Sequence, residues 1–197
     1  MREIETKILN IYPEEIIPKI EKYVKERCGE LVATFDGEIE AIYFKSHDNS
    51  NDSIVRLRKK TNTISVTPLE TIELTIKKPR ESFYPHFKTC DEENIYVDSL
   101  EQGLNVLRLL GYKKDRTITK HRMEYLYNTM FFEFDTINGY PTWLEIEAPL
   151  ESDITKVIEY LGYTMDDACN KSQLELHDSY FNRNDAQWTL EKREKDE

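Results

Sequence analysis

The 197-residue chain is 39% hydrophobic and 33% charged, and at this length it can bury one compact core. Its formal net charge of −11 argues against a general affinity for duplex nucleic acid or anionic membranes, because both attract cationic surfaces. The three cysteines are far apart and form no C-x-x-C pair, which argues against disulfides and a zinc site. Without an apolar run long enough to span a membrane or a secretory signal, the sequence predicts a cytoplasmic protein.

The N-terminal segment predicts a strand followed by a helix. The strand is expected around residues 2–9. From Pro13 onward, apolar residues recur at helical spacing, and Gly29 is the expected residue just after the helix. This helix is interpreted as structural, covering the apolar side of a sheet.

Two hairpins and a further strand are expected next. Asp36-Gly37 is a strong turn dipeptide, and a second short turn contains Asn62. Pro79 is expected to end the last strand of this group, because proline cannot donate to a sheet ladder. The predicted strands span residues 31–35, 39–45, 54–60, 63–67 and 70–78.

Between Arg80 and Val97 no regular pattern of apolar residues is visible. The segment contains Pro85, His86 and an acidic run, and it is interpreted as a long mobile connection able to act as a lid.

The C-terminal half alternates helices and strands. Ser99 is a suitable N-cap for a helix that Gly111 closes, and Asn138-Gly139 predicts a turn between strands. A single domain over residues 1–182 is expected, followed by a charged tail at 183–197. The expected strands lie at 112–127, 130–136 and 142–148, and the expected helices at 154–161 and 172–182.

Several of these strands carry charge on one face only. Glu3, Glu5 and Lys7 fall at period two and share one face, whereas Ile4 and Ile8 share the other. The same layout returns in Val55-Arg56-Leu57-Arg58, Glu73-Leu74-Thr75-Ile76-Lys77, Lys120-His121-Arg122 and Trp143-Leu144-Glu145-Ile146-Glu147.

The charges on these strands are sorted by sign. Solvated strand faces usually mix acids and bases, and like charges two residues apart repel unless an ion lies between them. An acidic cluster accommodates a divalent cation, and a basic cluster accommodates a polyanion. The basic pairs are Arg56/Arg58 and Lys120/Arg122, and the acidic pairs are Glu133/Asp135 and Glu145/Glu147.

About eight strands joined mostly by hairpins can close into an antiparallel barrel, which makes the predicted fold class α+β. If apolar side chains filled the barrel, the charged stripes would be ordinary solvent-facing surface. The amphipathic helices have apolar faces to bury, and this favours apolar outer strand faces beneath the helices and a charged lumen.

In their order along the chain, these motifs resemble the CYTH superfamily, the triphosphate tunnel metalloenzymes. The resemblance covers roughly residues 2–180, and it rests on the succession of motifs more than on any one of them. It begins with Glu3-Ile4-Glu5-Thr6-Lys7 and continues through the Arg-x-Arg strand, Thr75 to Pro79, the Lys-x-Arg strand, Phe134 to Gly139 and the closing Glu-x-Glu strand.

The resemblance implies an eight-stranded tunnel that binds a triphosphate with a divalent metal, Mg²⁺ or Mn²⁺. Family membership does not settle the reaction, and hydrolysis at the terminal phosphorus is the mechanistic hypothesis. By motif position it implies a set of metal ligands: Glu3, Glu5, Asp135, Glu145 and Glu147. The implied phosphate-binding cations are Lys7, Arg56, Arg58, Lys77, Lys120 and Arg122. The implied catalytic residues are Glu5, Glu145, Glu147 and Lys77.

Three alternatives stay open at this point. A class IV-type adenylate cyclase would make cyclic AMP and diphosphate from ATP, a non-catalytic module would only bind a triphosphate, and an unrelated domain would expose its charged strands to water.

A nucleoside or thiazole ring could stack on an aromatic residue, although strand aromatics usually serve packing. Apolar barrel surface not covered by helices makes a homodimer an expectation. The candidate aromatics are Tyr43, Tyr84, Phe87, Tyr125 and Trp143.

Overall fold

The computed structural model describes residues 2–46, 53–80, 85–137 and 139–182. The helices in this part of the chain are α1 (Pro13–Lys25), α2 (Leu100–Leu109), α3 (Glu151–Leu161) and α4 (Gln173–Asn182). The strands are β1 (Arg2–Ile8), β2 (Val32–Ser46), β3 (Ile54–Asn62), β4 (Leu69–Arg80), β5 (Lys88–Tyr96), β6 (Tyr112–Tyr127), β7 (Met130–Thr136), β8 (Trp143–Glu147) and β9 (Ala168–Cys169).

Eight of the strands close into an antiparallel barrel, as the sequence predicts. The order is β5-β4-β3-β2-β6-β7-β8-β1, and β1 pairs back to β5. The N-terminal half of β1 pairs with β5, while Lys7 and Ile8 pair with the short strand β9. Both sides of β1 are therefore occupied, so its alternating charged and apolar residues are held in one register.

The apolar faces of the strands point outward beneath the helices. α1 and α3 join a core with the outer residues of β1, β7 and β8, among them Phe132, Leu144 and Ile146, each 0% exposed. Burying a side chain of this size stabilises the fold by roughly 1.5–3 kcal/mol. α2 packs Leu107 in a second core with Leu57. The charged faces are consequently turned inward, which confirms the predicted charged lumen.

Helix α4 closes one end of the barrel. Its Leu174 and Leu176 belong to an apolar cluster with Tyr43, Ile118 and Trp143, which share the inward faces of their strands. At the opposite end, the cavity is lined by half-buried Lys60 and Glu124.

The predicted hairpin at Asp36-Gly37 is wrong, because β2 runs through these residues without turning. Gly37 pairs with Asn62 on one side and with Arg122 on the other. A Cβ at Gly37 would lie 1.9 Å from the backbone oxygen of Thr61, so close strand approach accounts for the glycine. Pairing on both sides of β2 overrides the local turn preference.

The predicted strand at 63–67 is also wrong. These residues connect β3 to β4, and β3 pairs directly with Leu69 onward. The Asn62 side chain stabilises the connection, since its Oδ1 accepts a hydrogen bond from Ile64 N at 3.1 Å. β4 does not stop at Pro79 but ends at Arg80, with Pro79 opposite Cys90 of β5.

Strand β5 lies where the sequence predicts a mobile connection. It joins β4 to β1 and so completes the barrel. Lys88 and Glu92 face the lumen, and Asp91 and Glu93 face outward, so both faces are polar and the usual apolar alternation is missing. The strand is defined by its partners more than by its own hydrophobicity.

The remaining predicted elements of the C-terminal half are confirmed. Ser99 caps α2 by accepting a hydrogen bond from Gln102 N at 3.1 Å, and Gly162 ends α3 at a φ of 90°. Asn138 and the tail at 183–197 lie outside the described residues. None of the helices described is both long and apolar enough to cross a bilayer. The homodimer stays a prediction.

Candidate active site

The lumen is a polar cavity of about 650 Å³, its open mouth included. Its wall consists of the inward-facing alternate residues of the strands, and most of these are charged. Ten of the residues singled out from the sequence line it: Glu3, Glu5, Lys7, Arg56, Arg58, Lys77, Lys120, Arg122, Glu145 and Glu147. The eleventh, Asp135, is 1% exposed and lies against two of the cations.

Glu3, Glu5 and Glu147 form a first acidic cluster. One oxygen of each lies within 4.8 Å of the others, because Glu5 pairs with Glu147 across β1 and β8 and Glu3 shares its face. Burial raises the pKa of Glu147 well above its ordinary value, and Glu133 and Glu3 add to the effect. A bound cation would favour the ionised form of Glu147, which burial disfavours.

Glu133, Asp135 and Glu145 form a second acidic cluster of the same size. Asp135 accepts hydrogen bonds at 2.6 Å from Nε and Nη2 of Arg122 and at 2.6 Å from Lys120 Nζ. Burial alone would raise the pKa of Asp135, but Arg122 and Lys120 lower it below its ordinary value. Burial raises the pKa of Glu133 to about 8, although Arg122 contacts it too. Asp135 thus holds Arg122 and Lys120 in place, whereas the buried carboxylate of Glu133 is only partly balanced by positive charge.

Three lysines surround Glu5. Its Oε1 accepts from Lys88 Nζ at 2.8 Å and from Lys7 Nζ at 3.2 Å, and Lys77 Nζ lies 3.6 Å from Oε2. Burial alone would raise the pKa of Glu5, but Lys7, Lys77 and Lys88 lower it well below its ordinary value. Glu5 is an ionised carboxylate shared among three ammonium groups.

The two arginines of β3 keep unused donors. Arg58 pairs with Glu73, and Arg56 Nη2 lies 3.8 Å from Glu92 Oε1. The Nε atoms of both arginines are buried and lack a hydrogen-bond partner among the described residues. A buried donor without a partner is costly, so these atoms favour an anion in the cavity.

The lumen also contains charged residues that the sequence analysis left out. Lys60 continues the spacing of Arg56 and Arg58, so period two could have identified it, whereas Glu73 was placed on the charged face of its strand without a role in the site. Lys88 and Glu92 belong to β5. Because the sequence predicts a mobile connection in place of this strand, neither residue could be assigned to a strand face. Gln173 reaches the cavity from α4, and no strand periodicity could reveal it.

The candidate aromatics do not form a base-binding pocket in the described lumen. Phe87 and Tyr125 pack in the outer core, and Trp143 lies in the apolar cluster under α4. Tyr43 lines the cavity but is only 3% exposed and packs in that cluster too. Tyr84 lies outside the described residues. His121, between Lys120 and Arg122 on the opposite strand face, has its side chain 43% exposed beside Asp36.

Both acidic clusters are suited to a hard divalent cation, since carboxylate oxygens are its preferred ligands. Glu133 Oε2 is buried and has no hydrogen-bond partner within the described ranges. Within the described ranges, the ion pairs of the first cluster are with lysines, and the second cluster is held partly by Arg122. The lumen therefore offers carboxylates to a cation beside ammonium and guanidinium groups that suit a polyanion.

No protein-family model and no curated protein sequence matches the chain. Solved structures do match. A conserved hypothetical protein from Pyrococcus furiosus superposes with a TM-score of 0.69 at 23% identity, over 88% of this chain and 99% of that one. A candidate adenylate cyclase from Vibrio parahaemolyticus gives a TM-score of 0.72 at 12% identity, over 89% and 97%.

The same architecture occurs in a different setting. A chain of the Mediator head module from Schizosaccharomyces pombe gives a TM-score of 0.60 at 11% identity, covering 82% of this chain and 95% of its own length. At such identities the likeness concerns the fold. The function has to be argued from the residues of the lumen.

Proposed function

The chain has the triphosphate tunnel fold, and from this premise we propose that it is a metal-dependent hydrolase that releases the terminal phosphate of a triphosphate inside the barrel. One observation carries the proposal: a closed lumen brings two carboxylate clusters together with lysine and arginine side chains from five strands. Such an arrangement suits a polyanion and a divalent cation bound together.

The substrate would be bound by the cations of the wall. Arginine can bind phosphate oxygens bidentately, and lysine acts as a compact point charge. Arg56 and Arg58 have Nε donors to offer without breaking an existing bond. The proposed substrate-binding residues are Lys7, Arg56, Arg58, Lys77, Lys120 and Arg122.

Mg²⁺ or Mn²⁺ would be held by Glu3, Glu5 and Glu147, with Asp135 and Glu145 as further ligands. When bound, the cation supplies electrophilic stabilisation of the phosphoryl group that is transferred. Glu133 completes the second cluster with Asp135 and Glu145.

Each remaining catalytic side chain has a task that its contacts suggest. Lys77 lies between Glu3, at 2.7 Å, and Glu5, so it would stabilise negative charge on the phosphate close to the carboxylates. Glu147 would serve as a carboxylate ligand of the cation, and Glu145, held by Lys7 at 2.7 Å, would position an attacking water.

Hydrolysis of an inorganic triphosphate is favoured over cyclase chemistry. A cyclase must hold a nucleoside so that its ribose attacks the innermost phosphorus, which calls for an aromatic or apolar face near the phosphates. Among the described residues, the aromatic and apolar side chains lining the cavity are Tyr43, Ile54 and Leu174, and all three already pack in the cluster under α4. The charged side chains of the lumen are sufficient to bind tripolyphosphate, which has no base or sugar to accommodate.

Product identity tests the proposal. The protein is incubated with tripolyphosphate, ATP or thiamine triphosphate and with Mg²⁺ or Mn²⁺, and phosphate, diphosphate and cyclic AMP are measured. We expect phosphate from tripolyphosphate, and we expect Glu5→Gln to abolish it because the variant weakens the first acidic cluster. Glu38→Gln, on an exposed outer position of β2, is the matched control and should leave turnover unchanged.

Other outcomes point elsewhere. Diphosphate with cyclic AMP would replace the proposal by a cyclase. Tripolyphosphate that raises the melting temperature without being cleaved would identify a binding module. Undiminished activity in Glu5→Gln would mean that Glu5 does not have the role assigned to it.

A further inference from the structure

Gln173 is a lumen residue that comes from a helix instead of a strand. Ser172 and Glu175 form a reciprocal cap at the start of α4: Ser172 N donates to Glu175 Oε2 at 2.7 Å, and Glu175 N donates to Ser172 Oγ at 3.2 Å. The cap fixes the first turn of α4, and Ser172, Gln173 and Leu174 line the cavity.

The orientation of the Gln173 amide is set by its neighbour. Lys120 Nζ donates to Gln173 Oε1 at 3.2 Å, and an ammonium group can only donate. The amide oxygen must therefore face Lys120, and the NH₂ group points away from it. Gln173 Nε2 is buried and has no hydrogen-bond partner among the described residues.

This amide shares the cavity with the other unused donors of the site. The Nε atoms of Arg56 and Arg58 are likewise buried without partners, and all three side chains line the same lumen. Three buried donor atoms that each lack a hydrogen-bond partner suit a group that presents several acceptor oxygens. A phosphate group has this property.

We propose that Gln173 is a substrate-binding residue, which donates its Nε2 hydrogens to a phosphate oxygen at the α4 end of the lumen. The inference rests on the proposed function, since the ligand is the triphosphate of that site. It adds a contact that belongs to the C-terminal helix. Packing of α4 on the barrel and binding of the triphosphate then stabilise one another. The packed helix places Gln173 against the phosphate, and the bound phosphate holds Gln173 in place.

The test measures the dissociation constant of tripolyphosphate by titration calorimetry, with Mg²⁺ and with EDTA, on the full chain. Gln173→Ala should weaken binding by about tenfold to a hundredfold, the usual worth of a hydrogen bond to a charged group. Gln173→Glu should weaken it further, because a carboxylate keeps the contact with Lys120 but repels phosphate. Gln102→Ala, an exposed glutamine of α2, is the matched control and should bind like the wild type.

Hydrogen exchange separates binding from simple loss of structure. Tripolyphosphate should slow exchange of the α4 amides in the wild type and do so much less in Gln173→Ala. Gln173→Glu should retain the wild-type melting temperature, since its contact with Lys120 becomes charge-assisted. A dissociation constant within twofold of wild type in both Gln173 variants would overturn the inference.

The failure of this inference can be told apart from failure of the proposed function. If Arg58→Met loses tripolyphosphate binding while both Gln173 variants keep it, Gln173 is not a ligand and the lumen site stands. If the wild type itself binds no tripolyphosphate, the proposed function fails and this inference fails with it.

Discussion

At the level of single side chains, the lumen holds its cations in ion pairs with carboxylates that would compete with a bound polyanion for the same cations. Arg58 illustrates this: it pairs with Glu73, which also accepts from Thr75 Oγ1 at 3.1 Å. Glu73 belongs to neither acidic cluster, so it can be changed without removing a proposed metal ligand.

Glu73→Gln should act in opposite directions on stability and on binding. The variant leaves Arg58 without its charged partner, and we expect a loss of about 1–3 kcal/mol in the free energy of unfolding. The same change removes a competitor for Arg58, so tripolyphosphate should bind more tightly in EDTA. Urea unfolding and titration calorimetry measure the two effects. Glu70→Gln is the control, since Glu70 pairs with Lys59 on the surface and such pairs contribute about 0–1 kcal/mol.

The stability difference should depend on pH. Burial alone would raise the pKa of Glu73, but Arg58 and Lys60 lower it below its ordinary value. A lowered folded-state pKa contributes stability above the unfolded-state pKa, and this is lost as pH falls through the folded value. The difference in the free energy of unfolding between the wild type and Glu73→Gln should therefore become smaller as the pH falls from 7 to 3. If this difference in the free energy of unfolding stays constant over the pH range, the ion pair between Glu73 and Arg58 does not stabilise the fold.

At the level of elements, β2 depends on Gly37 for its pairing on both sides. Gly37→Ala would place a methyl group against the backbone of β3 at Thr61, which cannot rotate out of the way. We expect the variant to lose more than about 2 kcal/mol of unfolding free energy, as for other steric conflicts in packed sites. Urea unfolding measures it, with the exposed neighbour Glu38→Ala as the control. Equal free energies of unfolding for Gly37→Ala and Glu38→Ala would mean that β2 and β3 can move apart at Gly37 to admit the methyl group.

The elements that the sequence predicts well are those with one apolar and one charged face. β1, β3, β7 and β8 have this pattern, so both their existence and their inward residues follow from period two. β5 lacks it, because its outer face is as polar as its inner one. The hairpin expected at Asp36-Gly37 fails for another reason: pairing with β3 and β6 is a tertiary effect that a dipeptide does not reveal.

The candidate site divides in the same way. Glu3, Glu5 and Lys7 can be placed on one face from the sequence, and the structure adds that Glu5 is shared among three lysines. Lys88 was not predicted because its strand was not. Gln173 depends on where α4 docks, and helical spacing does not say which end of a barrel a helix will cover.

At the level of the whole molecule, the barrel should be stabilised by its ligand. A ligand that binds only the folded state adds about 2.7 kcal/mol when present at one hundred times its dissociation constant. We therefore expect Mg²⁺ with tripolyphosphate to raise the melting temperature in thermal unfolding. Orthophosphate at the same concentration is the control, since it can occupy only part of the lumen. An equal effect of both anions would argue against a site built for a chain of phosphates.

The closure of one end of the barrel by α4 has a consequence for the order of events in turnover. Apolar side chains of α4 fill one end of the described lumen, and we infer that the entrance lies at the opposite end, near Lys60 and Glu124. Reactant and products then share one route, and whichever fragment occupies the deep end must be the last to leave. Phosphate and diphosphate should accordingly compete with fresh substrate for the entrance, and the exit of the deeper fragment sets an upper limit on the rate of each cycle.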